Sequence, residues 1–192
     1  MILGGNIFFG VGLINTLQRS VVNNKGGTIF LYPIKDPKRF GIAELGSQGE
    51  VLTITEKPKQ PKSSLAVTGL CFYDHDVIEI AASLSHSARG EYEITDVNNV
   101  YLRQGRLKAE LLGRGYTWLD AGTPSSLLES SNVIRIMEDR HGLKVARLEE
   151  IALNIRYIYP RQAEKATEGF ENTDYARYVR TAITTHKKAD VR

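Results

Sequence analysis

Apolar residues recur at Leu13, Ile14, Leu17, Val21 and Val22 within "VGLINTLQRSVVNN". That spacing predicts a helix, ended by Asn23, Asn24, Gly26 and Gly27. The β-branched and aromatic run "GTIFLYPI" predicts a buried strand, broken by "DPKRFG". "FGIAEL" and "EVLTITEK" flank "GSQG" and predict a hairpin, and "PKQPKSS" a polar surface loop. "LAVTGLCFYD" predicts another apolar strand, with Asp74 placed to cap the helix "HDVIEIAASL". In "ITDVNNVYLRQG", Ile94, Val97, Val100 and Tyr101 share one helical face and Gly105 ends it. "RLKAELL" predicts a strand, and "GRGYTWLDAG" a strand bracketed by glycine turns. Thr123 then Pro124 is a hydroxyl cap followed by proline at the first helical position, opening a helix to Arg140 or His141 that stops at Gly142. "LEEIALNI" and "DYARYVRTAITT" predict short helices beyond it, and residues 1–4 the end of a buried strand followed by a turn.

Strands alternating with helices, plus one hairpin, predict an α/β fold with a mixed sheet. The helix stop at Gly142 divides a domain over 1–142 from a helical region over 143–192.

Charge changes this picture little. The formal net charge is +3, with 25 Lys and Arg interspersed among 22 Asp and Glu, which gives no support to a nucleic-acid or membrane partner. The single cysteine, Cys71, excludes an intrachain disulfide and fits a reduced, cytoplasmic setting. The four histidines, His75, His86, His141 and His186, lack metal-ligand spacing. No Ser-His-Asp or Cys-His arrangement is visible.

The glycine-rich opening "MILGGNIFFG" invites comparison with a phosphate-gripping loop. Such a loop needs a strand before it, a helix directly after it and a basic residue within reach. "GGNIFFG" has neither the basic residue nor the full strand, and the next helix starts several residues later. The alternative is a strand end at the carboxyl edge of a sheet, where open α/β sheets bind ligands.

"LGGNIFFG", "RFGIAEL", "TEKPKQPKSSLAVTGLCFYD", "SARGEYEITDVN" and "GRGYTWLDAGTPSSLLE" occur in one order with natural spacing. Together they resemble the bacterial glucose-1-phosphate thymidylyltransferases, within the sugar nucleotidyltransferases. The likeness runs from Leu3 to about Ile155 and covers roughly the last two-thirds of such an enzyme. It implies the C-terminal two-thirds of a Rossmann-like nucleotidyltransferase fold with a mixed sheet and a small helical C-terminal appendage. It also implies magnesium-dependent joining of dTTP and glucose 1-phosphate into dTDP-glucose, with release of pyrophosphate.

The resemblance assigns residues. Asp120 matches a magnesium ligand, and otherwise reads as a turn aspartate capping local backbone. Lys57 matches a lysine that contacts the sugar phosphate, and otherwise reads as a solvated group. Lys57 and Asp120 are the catalytic candidates. Glu56 matches a carboxylate bonded to sugar hydroxyls, and Gly41 a glycine where the backbone meets the sugar. Thr68 and Gly69 line the sugar pocket or simply pack the core. Cys71 stands where relatives often carry a sugar-facing tyrosine, and on its own reads as a small buried hydrophobe. Trp118 reads as core. Arg114 matches an arginine of a second, regulatory nucleotide site, with Lys144, Val145, Glu150 and Ile151 in the region that helps form it.

Two departures follow. The family's glycine-rich triphosphate-gripping segment, with its arginine and lysine, has no counterpart, and Gly5 stands where the family carries its other magnesium-binding aspartate. The expectation is a chain that is catalytically silent on its own. The alternative is a non-catalytic module binding a sugar phosphate or dTDP-sugar, or regulating an oligomer. Unpaired strand edges, and the resemblance, predict a homo-oligomer.

Overall fold

The computed structural model describes residues 1–87, 89–142 and 144–189. Two compact units divide the chain, Met1–Ser130 and Ser131–Arg192. The division falls inside the long helix Pro124–His141, whereas the sequence reading put it at the glycine that follows.

In the first unit the strands are β1 (Asn6–Gly10), β2 (Gly27–Pro33), β3 (Gly41–Leu45), β4 (Val51–Glu56), β5 (Leu65–Tyr73), β6 (Leu107–Leu111) and β7 (Tyr116–Asp120). Its helices are α1 (Leu13–Asn23), α2 (Val77–Ser83), α3 (Ile94–Arg103) and the start of α4 (Pro124–His141). Five strands form a mixed sheet in the order β4-β3-β5-β2-β6, in which only β2 and β6 run parallel. β1 and β7 form a separate antiparallel ribbon that sets Asn6 opposite Asp120. The core gathers on the central strands, where Ile29, Leu31, Ala43 and Cys71 are fully buried. Phe30, on the opposite face of β2, packs with Leu70 and Leu112.

β5 shapes the functional region. Its partners on β2 step from Ile29 opposite Cys71 to Leu31 opposite Val67, so Thr68, Gly69 and Leu70 bulge against Phe30 alone. Residues 1–3 run along this bulge: the Cys71 N–H donates to the Met1 carbonyl at 3.0 Å and the Leu3 N–H to the Gly69 carbonyl at 2.7 Å.

Several expectations are corrected. The first residues do not form a buried strand: Met1, Ile2 and Leu3 are exposed, and the strand of this segment is β1. The expected turn forms at Gly4 and Gly5, and the strand β1 that follows it, stabilised by a distant partner, β7, was not expected. α1 forms, but Ile14, Val21 and Val22 are exposed while Thr16 and Ser20 are buried. Hydrogen bonding explains the rotation: the Thr16 and Tyr116 hydroxyls meet at 2.9 Å and Ser20 donates to the Thr16 carbonyl at 2.8 Å. Asp74 does not cap α2, whose preceding residue is Asp76. Its carboxylate accepts from Tyr101 at 2.7 Å and from Arg106, tying β5 to α3 and to the start of β6. Burial acts to raise the Asp74 carboxyl, but these two donors and the Asp76 N–H hold it below the ordinary range.

The second unit contains the rest of α4, then α5 (Leu148–Asn154), α6 (Pro160–Lys165) and α7 (Asp174–Ala189). Leu153, Ala163, Val179 and Ile183 form its core. α6 was not expected; Pro160 opens it and the Tyr159 N–H donates to Gln162 Oε1 at 2.9 Å. Glu138 on α4 accepts from the Lys144 ammonium at 2.8 Å and the Val145 N–H at 2.9 Å. Among the described residues, no helix is long and apolar enough to cross a membrane.

Candidate functional site

A cavity of about 240 Å³ opens in the first unit where the β5 bulge, the β1–β7 ribbon, the start of β3 and the start of α3 meet. Its wall includes Arg39, Gly41, Glu56, Thr68, Gly69, Thr95, Trp118 and Asp120.

Glu56 ends β4, and α3 packs against that strand. The buried Thr95 hydroxyl, in the first turn of α3, donates to Glu56 Oε2 at 2.6 Å. Glu56 Oε1 is left toward two cations, with Lys57 Nζ at 3.9 Å and Arg89 Nη1 at 3.8 Å. Gly41 makes this pairing sterically possible. A Cβ there would lie 2.9 Å from Thr95 Oγ1 and 3.1 Å from Glu56 Oε2.

Lys57 lies outside the cavity lining, directly after Glu56. Its φ of +40° is in the left-handed region, which turns the chain out of β4, and its N–H donates to the Phe40 carbonyl at 3.1 Å.

The floor is built around Asn6. Its Oδ1 accepts from the Gly69 N–H at 3.1 Å and from Trp118 Nε1 at 2.7 Å, while its Nδ2 donates to the Leu3 and Gly4 carbonyls. Gly69 must lack a side chain, because a Cβ would lie 2.3 Å from Asn6 Nδ2. Trp118 does fill core, edge-on to Phe40 and Tyr32, and it also forms part of the cavity wall. Thr68 is 2% exposed, lines the same cavity, and its Oγ1 is buried without a hydrogen-bond partner. Cys71 faces the core, and burial pushes its thiol up, so it is an inert apolar group here.

Asp120 also lines the cavity. Its Oδ2 accepts from Arg39 Nη2 at 3.1 Å and its Oδ1 from the Gly122 N–H at 3.2 Å. Gly5 offers no side chain, and among the described residues no group of three His, Cys, Asp or Glu could hold a metal ion. Magnesium is held by one or two carboxylates together with phosphate oxygens and water; of the two carboxylates on this cavity, Asp120 is the one that would hold it, and Arg39 engages it in this structure.

The structure thus brings Gly41, Glu56, Thr68, Gly69 and Asp120 to one cavity, with Lys57 beside it. Arg39, Thr95, Arg89 and Asn6 were missed as contributors. The signals were present, in the arginine of "RFG" and the asparagine of "GGN", but their partners are set only by tertiary packing.

The residues expected at a regulatory site lie apart in sequence and in unit. Arg114 is exposed in the turn between β6 and β7 of the first unit. In the second unit, the Lys144 N–H donates to the Tyr178 hydroxyl at 3.2 Å, and that hydroxyl donates to Glu150 Oε2 at 2.7 Å. Glu150 lines a cavity of about 270 Å³ with Tyr178, Thr181 and Thr185, whereas Lys144, Val145 and Ile151 lie outside it.

Comparison with known proteins places these features. The nucleotidyl transferase family pattern matches residues 1–135. A glucose-1-phosphate thymidylyltransferase of Mycobacterium tuberculosis is 48% identical over 93% of this chain and 62% of its own length. That of Xanthomonas campestris is 46% identical over 93% and 61%. The chain therefore spans about 62% of the length of the relatives it matches. A Bacillus anthracis crystal structure described as a glucose-1-phosphate thymidylyltransferase in complex with a sucrose superimposes with a TM-score of 0.59 at 40% identity, covering 69% of this chain and 52% of that one. A UDP-glucose pyrophosphorylase structure shares the fold at 18% identity, with a TM-score of 0.61 over 69% and 53% of the two chains. On these grounds the chain belongs to the nucleotidyl transferase family, as a homologue of the glucose-1-phosphate thymidylyltransferases.

Proposed function

We propose that the cavity of the first unit is the sugar-phosphate site of a glucose-1-phosphate thymidylyltransferase, and that the 192 residues alone bind this ligand without turning it over. The observation that carries the reading is the convergence of Glu56, Gly41 and the unpartnered Thr68 hydroxyl beside the cations Arg39, Lys57 and Arg89. A fixed carboxylate and a free hydroxyl suit sugar hydroxyls. Three nearby cations suit a phosphate.

In the reaction of the named relatives, a sugar-phosphate oxygen attacks the α-phosphorus of dTTP and pyrophosphate leaves. The protein must hold two anions against their repulsion and neutralise charge that develops at phosphorus. The residues gathered here serve the sugar side. Removing one donor aimed at reacting oxygens costs roughly 10²–10³ in rate, the oxyanion-hole magnitude transferred by analogy. Gly5 at the ribbon leaves these 192 residues without one carboxylate that the resemblance implies.

Two proposals accompany this reading. Lys144, Val145, Glu150 and Ile151 of the second unit contribute to a second nucleotide site, and Arg114 of the first unit is a separate candidate for a nucleotide contact. The chain also self-associates through edge strands that carry exposed leucines, Leu52 on β4 and Leu111 on β6.

Calorimetry with glucose 1-phosphate and dTDP-glucose tests the binding, and a pyrophosphate-release assay with dTTP, glucose 1-phosphate and magnesium tests the silence. Heat without release is expected. No heat at millimolar ligand removes the binding site, and enzyme-like turnover by the 192 residues removes the silence.

A further inference from the structure

Thr95 reaches Glu56 only while α3 keeps its place along the sheet. Their bond of 2.6 Å is lost when the partners separate by about 1 Å. A local cap does not set that place: Glu93 stands before the first turn of α3 without a capping side-chain bond. The sheet sets it instead. One turn after Thr95, about 4.5 Å along the axis, Asn98 is fully buried, and its Oδ1 accepts from the Tyr73 hydroxyl at 2.7 Å. Tyr73 ends β5, so this bond ties the helix to the strand that brings Thr68 and Gly69 to the cavity.

The surroundings leave the register of the helix to this one bond. The Tyr73 ring lies on that of Tyr101 of α3, with centroids 5.5 Å apart and planes 18° from parallel. Gly27, opposite Tyr73 on β2, lets the Tyr101 ring in, since a Cβ there would lie 3.3 Å from it. Stacked rings tolerate an offset, whereas a hydrogen bond has a narrow range of good lengths. The Tyr101 hydroxyl also donates to Asp74, at 2.7 Å, but that bond is two turns from Thr95 and ends on a carboxylate that is 28% exposed. Asn98 is the nearer and the drier anchor. Burial pushes the Tyr73 hydroxyl up, so it stays protonated and remains the donor. Tyr73 and Asn98 both lie outside the cavity lining, so their effect on a ligand passes through Thr95 and Glu56.

We propose that Tyr73 and Asn98 are positioning residues for the candidate site, holding α3 at the height where Thr95 grips Glu56. The inference rests on the sugar-phosphate reading for its ligand, and its structural half is measured without one. Tyr73→Phe keeps the ring stack and removes the hydroxyl. Glucose 1-phosphate is expected to bind this variant roughly 3-fold to 10-fold more weakly, the loss of one buried hydrogen bond. In the Thr95→Val background the same change is expected to leave the Kd of that background unaltered, because the link it acts through is gone. Asn98→Ala breaks the bond from the helix side and is expected to show the same dependence on Thr95. A melting temperature that falls in Tyr73→Phe while the Kd stays unchanged overturns the proposal, because the bond then serves stability alone. Losses that multiply in the double variant overturn it as well, because the two contacts then act independently. Without ligand, the carboxyl carbon resonance of Glu56, assigned through Glu56→Gln, is expected to move in Tyr73→Phe in the direction in which it moves in Thr95→Val, and to move no further in the double variant. An unmoved resonance in Tyr73→Phe overturns the positioning role whatever the affinities. If glucose 1-phosphate gives no heat with the unaltered chain, the sugar-phosphate reading falls. The resonance then decides alone, movement supporting the positioning contact and silence refuting it.

Discussion

The Thr95 hydroxyl donates to Glu56 Oε2 across 2.6 Å, with Thr95 itself 3% exposed. One helix thereby fixes a carboxylate that belongs to a strand, and selects which of its oxygens faces Lys57 and Arg89. Thr95→Val removes the donor while keeping the shape. A hydrogen bond to a charged group contributes about 1.5–3 kcal/mol, so glucose 1-phosphate binding is expected to weaken by roughly tenfold or more. Thr95→Ser is expected to restore most of it. Calorimetry on the three proteins checks this; equal affinity for the valine variant would show that Thr95 does not position Glu56.

Gly41→Ala tests the same contact from the other side. The new methyl would enter at 2.9 Å from Thr95 Oγ1 and 3.1 Å from Glu56 Oε2, so the bonded pair must part or the β3 backbone must shift. Small-to-large changes in packed sites cost about 1–3 kcal/mol. A lower melting temperature together with weaker sugar-phosphate binding is the expected result, read by calorimetry.

Asn6→Ala addresses the floor. It removes a side chain that ties Gly69 of β5 to Trp118 of β7, and leaves the indole N–H without its acceptor. An orphaned buried donor costs about 1–3 kcal/mol. The expected outcomes are a fall in denaturant midpoint and a shift in tryptophan emission, since Trp118 is the chain's one tryptophan.

The second unit carries its own pH dependence. Burial acts to raise the Glu138 carboxyl, but its bonds to Lys144 and the Val145 N–H outweigh this and lower it below its ordinary 4.5. A carboxylate depressed in the folded state contributes stability that is fully present above its unfolded value and is lost as pH falls through the folded one. Thermal stability of α4 and the segment after it is therefore expected to decline below about pH 4.5. Glu138→Gln is expected to remove that part of the slope, as measured by melting between acid and neutral pH.

How far the sequence announces all this depends on the range of the interaction. The β3–β4 hairpin, the hydroxyl and proline opening α4, and its stop at Gly142 with φ of +67° are local devices, and local pattern finds them. β1 is five residues long and exists because β7 pairs with it, so no local pattern announces it. The facing of α1 misled for a different reason: its apolar spacing is helical, but hydroxyl bonds to Tyr116 and within the helix turn Thr16 and Ser20 inward. At the site, resemblance indicates Glu56, Gly41 and Asp120 one by one. That Thr95 holds Glu56 and Arg39 holds Asp120 depends on how α3 and the 37–39 turn pack, which sequence spacing does not carry.

Lys57 allows binding and backbone geometry to be separated. Its φ of +40° lies in the left-handed region, where a residue with a Cβ is held at a cost of about 1–3 kcal/mol. Lys57→Gly removes that cost and the ammonium together, while Lys57→Ala removes only the ammonium. The glycine variant is expected to melt at or above the unaltered chain and the alanine variant close to it. Both are expected to bind glucose 1-phosphate more weakly by a similar factor, because the lost group is the same. Affinities that differ between the two variants would instead assign the role of this residue to the turn it makes, and equal affinity across all three proteins would remove Lys57 from the site.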